Sequence, residues 1–223
     1  MDNVEIIPAI MPVSFEDLNE KYTKVKDFVQ TVQIDVMDGK FVPSKDWPYV
    51  NENEGQSFVA TKDCPSLPLI DFDFEVDLMV EDPEAVIESW IKAGAKRVII
   101  HIESIKNIEQ VFLKIPSDVE VGIALNTTTS NEEIYPLMEK IDFVQFMGIE
   151  KIGYQGQSFD ERVLEKIASL REKYSRVIIS VDGAVNLETA PKLIKAGANR
   201  LAVGSAIFKS SDIKETIEQL KKS

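Results

Sequence analysis

The chain has 223 residues, 44% of them hydrophobic and 28% charged, with ten glycines and ten prolines. That composition is globular and excludes a disordered chain, a collagen repeat or a continuous coiled coil. With 25 basic against 38 acidic residues the net charge is −13, which argues against a nucleic-acid partner but leaves room for a small anion held by local backbone N–H groups.

At this length one domain buries a sizeable core without a disulfide. The single cysteine, Cys64, has no partner for a disulfide or a zinc ribbon, and a reducing, cytoplasmic setting is expected. The opening MDNVEIIPAIMPVSF carries acids where a secretion signal would carry positive charge. No stretch approaches the ~18 apolar residues of a membrane span, so no membrane partner is expected.

Short apolar runs alternate with amphipathic stretches along the chain. Val4–Ile10 predicts a first strand. In Phe15–Val29 the residues Phe15, Leu18, Tyr22, Val25 and Phe28 or Val29 share a helical face, with Ser14 as N-cap and Asp17 three residues on. Val32–Val36 predicts the second strand. The segment 43–71 holds four prolines and little helical periodicity, so a long irregular loop over 44–71 is expected in place of the second crossover helix.

Phe74–Met79 predicts the third strand. The helix Pro83–Ala93 follows, with Pro in its first turn and Gly94 at its stop. Arg97–Ile102, Glu120–Leu125 and Phe143–Met147 are the next strands. A helix over Asp160–Tyr174 places Val163, Leu164, Ile167 and Leu170 on one side, and a strand follows at Val177–Val181. A helix over Asn186–Ala196 stops at Gly197 before the last strand, Arg200–Val203. The near-copies Lys92-Ala93-Gly94-Ala95 and Lys195-Ala196-Gly197-Ala198 put Gly just past a helix end, which is a structural reason for both.

Eight strands alternating with helices, about 28 residues per unit, predict a single (β/α)8 TIM barrel over residues 1–223 as one domain. A doubly wound open sheet is disfavoured because no G-x-G-x-x-G follows the first strand. In such barrels reactive groups project from the C-terminal ends of strands, where this chain carries Asp35, Asp38, Asp77, Glu103 and Asp182. Capping and solvation explain one such acid. Several converging on one barrel mouth ask for chemistry.

The run Gln33-Ile34-Asp35-Val36-Met37-Asp38-Gly39-Lys40-Phe41-Val42-Pro43 resembles the second-strand motif of the ribulose-phosphate 3-epimerase family. Glu75-Val76-Asp77-Leu78-Met79-Val80, His101-Ile102-Glu103 and Gly122-Ile123-Ala124-Leu125-Asn126 resemble its next three strands. Gly156-Gln157-Ser158-Phe159, Val181-Asp182-Gly183 and Gly204-Ser205-Ala206-Ile207-Phe208 complete the match in order. The resemblance fails mainly in 44–71. It implies a ribulose-phosphate-binding TIM barrel that interconverts ketose phosphates through an enediolate. Asp35 and Asp182 match the two aspartates that exchange the proton at carbon 3. Met37, Met79 and Met147 match residues lining the family's cavity. Gly153, Gly156, Gln157, Gly183, Ala184, Gly204 and Ser205 match its lid and phosphate-binding loops, with Ala184 in place of a second glycine.

The departures from the resemblance are specific. The family's two metal-ligating histidines correspond to Gln33 and Asp77, and the only histidine, His101, matches one that is not a ligand. The set Gln33, Asp35, Asp77 and Asp182 is all oxygen, which favours Mg2+ or Mn2+ over Zn2+; no organic cofactor is implied. Ala9 replaces a serine on the first strand. The lid 148–157 is one residue longer than the family's and lacks its proline. The resemblance implies a small phosphorylated sugar as partner, and the sequence is compatible with a homo-oligomer.

Two other readings compete. A barrel that binds sugar phosphates without turning them over accounts for the lost histidines. A decarboxylase or aldolase on the same scaffold would carry Asp-x-Lys-x-x-Asp on the third strand, where this chain has Glu75, Asp77 and Val80 without a lysine. Trp47, Tyr49 and Phe58 in the long loop are expected to pack within it rather than shape the pocket.

Overall fold

The structure, a computed structural model, describes residues 4–50, 67–154 and 156–223. Phe58, Cys64 and Gln155 lie outside the described residues. Eight parallel strands close into a barrel in sequence order: β1 (Glu5–Ile10), β2 (Val32–Met37), β3 (Phe74–Met79), β4 (Arg97–His101), β5 (Glu120–Leu125), β6 (Phe143–Met147), β7 (Ile178–Asp182) and β8 (Arg200–Val203). The (β/α)8 expectation holds. Strands β3, β5, β6 and β8 keep the expected bounds, and the other four shift by one residue at an end or at both.

Helices cover the barrel: α1 (Phe15–Val25), α2 (Pro83–Ala93), α3 (Ile108–Leu113), α4 (Arg162–Lys173), α5 (Ala190–Ala196), α6 (Ser205–Phe208) and α7 (Ile213–Lys221). Ser14 caps α1, accepting the Asp17 N–H as expected. The helix stops at Val25, earlier than its periodicity suggests, because Phe28 and Val29 still pack on the core from the following turn and so continue the pattern. Helix α5 starts four residues later than expected because the Asn186 side chain captures the N–H groups of Glu188 and Thr189 in a local turn. Gly94 and Gly197 end their helices at φ of 116° and 123°, where a Cβ would be strained.

No helix lies between β2 and β3 among the described residues, and residues 51–66 of the expected irregular loop lie outside them. Trp47 of that loop is buried against Phe15 and Trp90, at centroid distances of 5.6 and 5.7 Å, so it fills the helix layer rather than the barrel mouth. Among the described residues no helix is long and apolar enough to cross a membrane.

Strand side chains alternate between two environments. Ile34, Val36, Val76, Leu78, Val98, Ile100, Ile123, Val144, Val181 and Leu201 belong to the apolar cluster shared with the helices. The residues between them fill the barrel, and many are polar. At its N-terminal end Arg97 bridges Glu5 (2.9 Å) and Glu75 (3.1 Å), while Arg200 bridges Glu5 (2.8 Å) and Glu120 (3.3 Å). Burial still pushes the Glu75 carboxyl up to about 7 against the pull of Arg97. Above this, Ile99, Ala124 and Phe143 form an apolar layer. Gly122 makes room for the Phe143 ring, since a Cβ there would stand 2.3 Å from it.

Candidate active site

Over the apolar layer the interior turns acidic. Asp35 on β2 and Asp77 on β3 are register partners, and Met37 and Met79 pair two residues further up. Both aspartates lie inside their strands rather than at the ends, on the face that points into the barrel. Asp182 is the last residue of β7, paired with Met147 of β6 and Ala202 of β8. One oxygen from each of Asp35, Asp77 and Asp182 lies within 4.8 Å of the other two.

Donors from the barrel wall hold these carboxylates. Gln33, fully buried, donates through Nε2 to Asp35 Oδ1 (2.8 Å) and to Asp182 Oδ2 (2.9 Å). Gln145 donates to Asp77 Oδ2 (3.0 Å) and its own carbonyl accepts from Ser180 Oγ (3.1 Å). His101 places Nε2 3.2 Å from Asp77 Oδ1, with Nδ1 3.8 Å from Glu103. Gln145 and Ser180 belong to none of the motifs quoted above, although a polar residue inside an apolar strand is the signal that marks them.

Crowded, poorly solvated acids resist ionisation. Burial raises the Asp35 carboxyl well above the usual carboxylate range, and the charges of Asp182 and Asp77 add to the rise. Burial pushes Asp182 up to about 7, with Asp77 adding to it and the Gln33 hydrogen bond opposing. Burial works against a charged His101, yet the adjacent Asp77 outweighs it and raises the ring's pKa.

The donor chemistry suits a hard divalent cation. Three carboxylate oxygens lie close enough to share one ion, and a buried acidic triad gains from a counter-charge. Gln33 presents nitrogen, not oxygen, to that position, and its Oε1 is buried without a hydrogen-bond partner. To serve as a fourth oxygen ligand it has to turn its amide over. Zinc's preferred nitrogen and sulfur ligands are missing from the triad.

Above the triad opens a cavity of about 410 Å³. Ala9, Asp35, Met37, Met79, Met147 and Asp182 border its floor. Gly183, Ala184, Gly204 and Ser205 form one wall, and Gly153, Gly156 and Gln157 come from the lid. The catalytic, cavity and loop residues expected from the sequence thus meet in one place, while Gln33 and Asp77 sit beneath it. Met11, Tyr154, Asn186 and Thr189 also line it, without a signal in the sequence that marks them for the site. Asp38 and Glu103 lie elsewhere and cap turns. Asp38 accepts from the N–H groups of Lys40, Phe41 and Glu81, and Glu103 accepts from Asn126 N–H and Thr129 Oγ1.

The segment expected as a lid is rooted beside Asp182. Gly148 N–H donates to the Asp182 carbonyl (2.6 Å), and a Cβ at 148 would stand 2.2 Å from the Gly183 carbonyl oxygen. Only glycine permits that approach. Gly153 and Gly156 turn the lid at φ of 85° and 75°.

The sequence model of the ribulose-phosphate 3 epimerase family matches residues 5–208. The chain is 34% identical over 226 residues to the ribulose-phosphate 3-epimerase of Bacillus subtilis, covering 98% of each. It is also 34% identical over 230 residues to the chloroplastic ribulose-5-phosphate-3-epimerase of Arabidopsis thaliana, covering 99% of this chain and 77% of the plant protein. Among solved structures, 3-keto-L-gulonate-6-phosphate decarboxylase from Vibrio cholerae superposes with a TM-score of 0.66 at 13% identity, covering 100% of this chain and 97% of that one. At such identity the superposition speaks for the barrel alone.

Proposed function

The chain belongs to the ribulose-phosphate 3-epimerase family, and on that footing we propose that it interconverts D-ribulose 5-phosphate and D-xylulose 5-phosphate, or a close analogue, by two-aspartate proton transfer. The observation that carries this reading is the meeting of Asp35 and Asp182 at the floor of one cavity, joined through the single amide nitrogen of Gln33.

One aspartate takes the proton from carbon 3. The bonding pair moves into a carbon 2–carbon 3 double bond, and the carbonyl at carbon 2 becomes an oxyanion. The other aspartate returns a proton to the opposite face of carbon 3, the electron pair moves back, and the centre is inverted. Such a cycle needs one carboxyl ionised and the other protonated at the start. Burial and mutual repulsion raise both carboxyls, so without a cation the pair favours keeping one proton. The buried side chains of Met37, Met79 and Met147 put apolar surface around the two acids and limit water at the exchanging proton.

A divalent cation of the Mg2+ or Mn2+ class, held by Asp35, Asp77 and Asp182, would supply positive charge for the oxyanion. The sugar's phosphate is assigned to the wall of Gly183, Ala184, Gly204 and Ser205, with Gly153, Gly156 and Gln157 closing over the sugar. Two relatives named for ribulose phosphate, each 34% identical over nearly all of this chain, support that ligand class. The test is net conversion of ribulose 5-phosphate by wild-type protein. A folded protein that binds the sugar without converting it would mark a binding-only barrel.

A further inference from the structure

The cavity is lined by Asp35, Asp182 and Glu188, and by no lysine or arginine among the described residues. An anion entering it therefore has backbone groups and neutral polar side chains, such as Gln157, Thr189 and Ser205, rather than cationic side chains to hold it. One residue of that wall is held in an unfavourable shape. Among the described residues Ala184 is the single non-glycine with positive φ, at 54°. A Cβ disfavours this left-handed conformation, which glycine adopts freely.

Two side chains fasten it. Thr189 Oγ1 donates to the Ala184 carbonyl (2.8 Å), and Asn186 Nδ2 donates to the same oxygen (3.2 Å). Thr189 Oγ1 in turn accepts from Asn186 N–H (3.0 Å), and Asn186 Oδ1 accepts from Glu188 N–H (2.8 Å) and Thr189 N–H (3.1 Å). Thr189 is buried at the start of α5, and Val185, which links Ala184 to Asn186 in the chain, is buried as well. The ring of bonds thus ties the carbonyl of Ala184 to a packed helix.

We propose that Asn186 and Thr189 are positioning residues that lock Ala184 in its left-handed conformation and so set the affinity of this wall for the phosphate group of the substrate. This rests on the assignment of the wall as the phosphate end of the cavity. Freed of the clamp, Ala184 relaxes to negative φ, its peptide planes rotate, and the wall no longer presents its N–H groups to the anion. Glycine at 184 would not relax in the same way.

The experiment uses the full chain with Asn186→Leu, Thr189→Val, the pair, and the pair with Ala184→Gly added. Dissociation constants for inorganic phosphate are measured by calorimetry, and KM and kcat with ribulose 5-phosphate. The pair is expected to raise the phosphate dissociation constant and KM about tenfold, with kcat changed far less. Ala184→Gly is expected to recover most of that loss, and Thr189→Ser, which keeps the donor, to stay near wild type. Unchanged phosphate binding in the folded pair, or no recovery with glycine, overturns the clamp while leaving the epimerase reading intact. A wild-type protein that binds phosphate through the clamp but converts no sugar leaves the clamp standing and rejects the reaction. Wild-type protein that binds no phosphate overturns the clamp together with the phosphate assignment.

Discussion

Gln33 on β2 reaches across the barrel floor to Asp182 on β7, with its Nε2 2.9 Å from Oδ2, and the same nitrogen lies 2.8 Å from Asp35. One neutral donor thereby joins the two acids assigned to proton transfer. Removing it leaves two crowded carboxyls without their shared partner. Gln33→Leu is expected to cost roughly 1–3 kcal/mol in urea unfolding at neutral pH. It should also lower kcat more than it raises KM, because it disturbs the acids and not the phosphate wall. A variant with wild-type stability and turnover would show that the bridge carries nothing.

Asp35→Asn and Asp182→Asn are each expected to reduce kcat by about 10²–10⁴-fold, the range for losing a general acid or base. Neither should unfold the protein. Asp182 is raised to about 7 mainly by burial, so at pH 8 its ionised form works against the fold and asparagine relieves that term. Circular dichroism and steady-state kinetics on the same samples separate loss of chemistry from loss of structure.

Stability should fall as pH rises toward 8. Asp46 is buried, with Oδ1 accepting Met37 N–H at 2.6 Å and Oδ2 without a partner. Burial, only partly offset by the Met37 hydrogen bond, lifts its carboxyl from the ordinary 3.8 to about 8. Between those values the folded state keeps a proton that the unfolded chain has released. This one group therefore removes on the order of 1 kcal/mol of stability per pH unit across that window. Glu75 and Asp182, both near 7, slope the same way. Asp46→Asn retains the acceptor for Met37 and removes the titration. Unfolding in urea at pH 5 and pH 9 should show the variant gaining on wild type at the higher pH. Parallel losses in the two proteins would contradict the burial argument.

On the proposed reading the triad also sets cation preference. Mn2+ or Mg2+ is expected to bind more tightly than Zn2+ relative to sites built with histidine, because the assembled donors are oxygens. Asp77→Asn should weaken Mn2+ binding measured by calorimetry, and Gln33→Glu, which adds a fourth carboxylate, should strengthen it. Equal Mn2+ affinity in wild type and Asp77→Asn would remove Asp77 from the ligand set.

The barrel is legible in the sequence because each apolar strand run and each Gly-ended helix carries its own local cause, as at Pro83–Ala93 with Gly94. The acids Asp35 and Asp182 are legible as polar interruptions at strand positions. The family resemblance, not periodicity, supplies the loop residues Gly183, Ala184, Gly204 and Ser205. Other features depend on contacts between distant strands. Gln145 and Ser180 gain meaning only when β6 and β7 pair beside Asp77. The direction of the Gln33 amide is fixed by two acids that converge on it, one of them 149 residues away in the chain. Asn186 reads as a helix residue in sequence because its side chain's competition for N–H groups leaves no periodic trace.

Proton abstraction at carbon 3 is tested most directly by incubating ribulose 5-phosphate with the protein in D2O and following the carbon 3 proton by NMR. Parallel samples contain EDTA, Mg2+, Mn2+ or Zn2+. The account predicts deuterium at carbon 3 with wild type, fastest with Mg2+ or Mn2+, and none above background with Asp35→Asn or Asp182→Asn. No exchange in any sample of folded wild-type protein would contradict it.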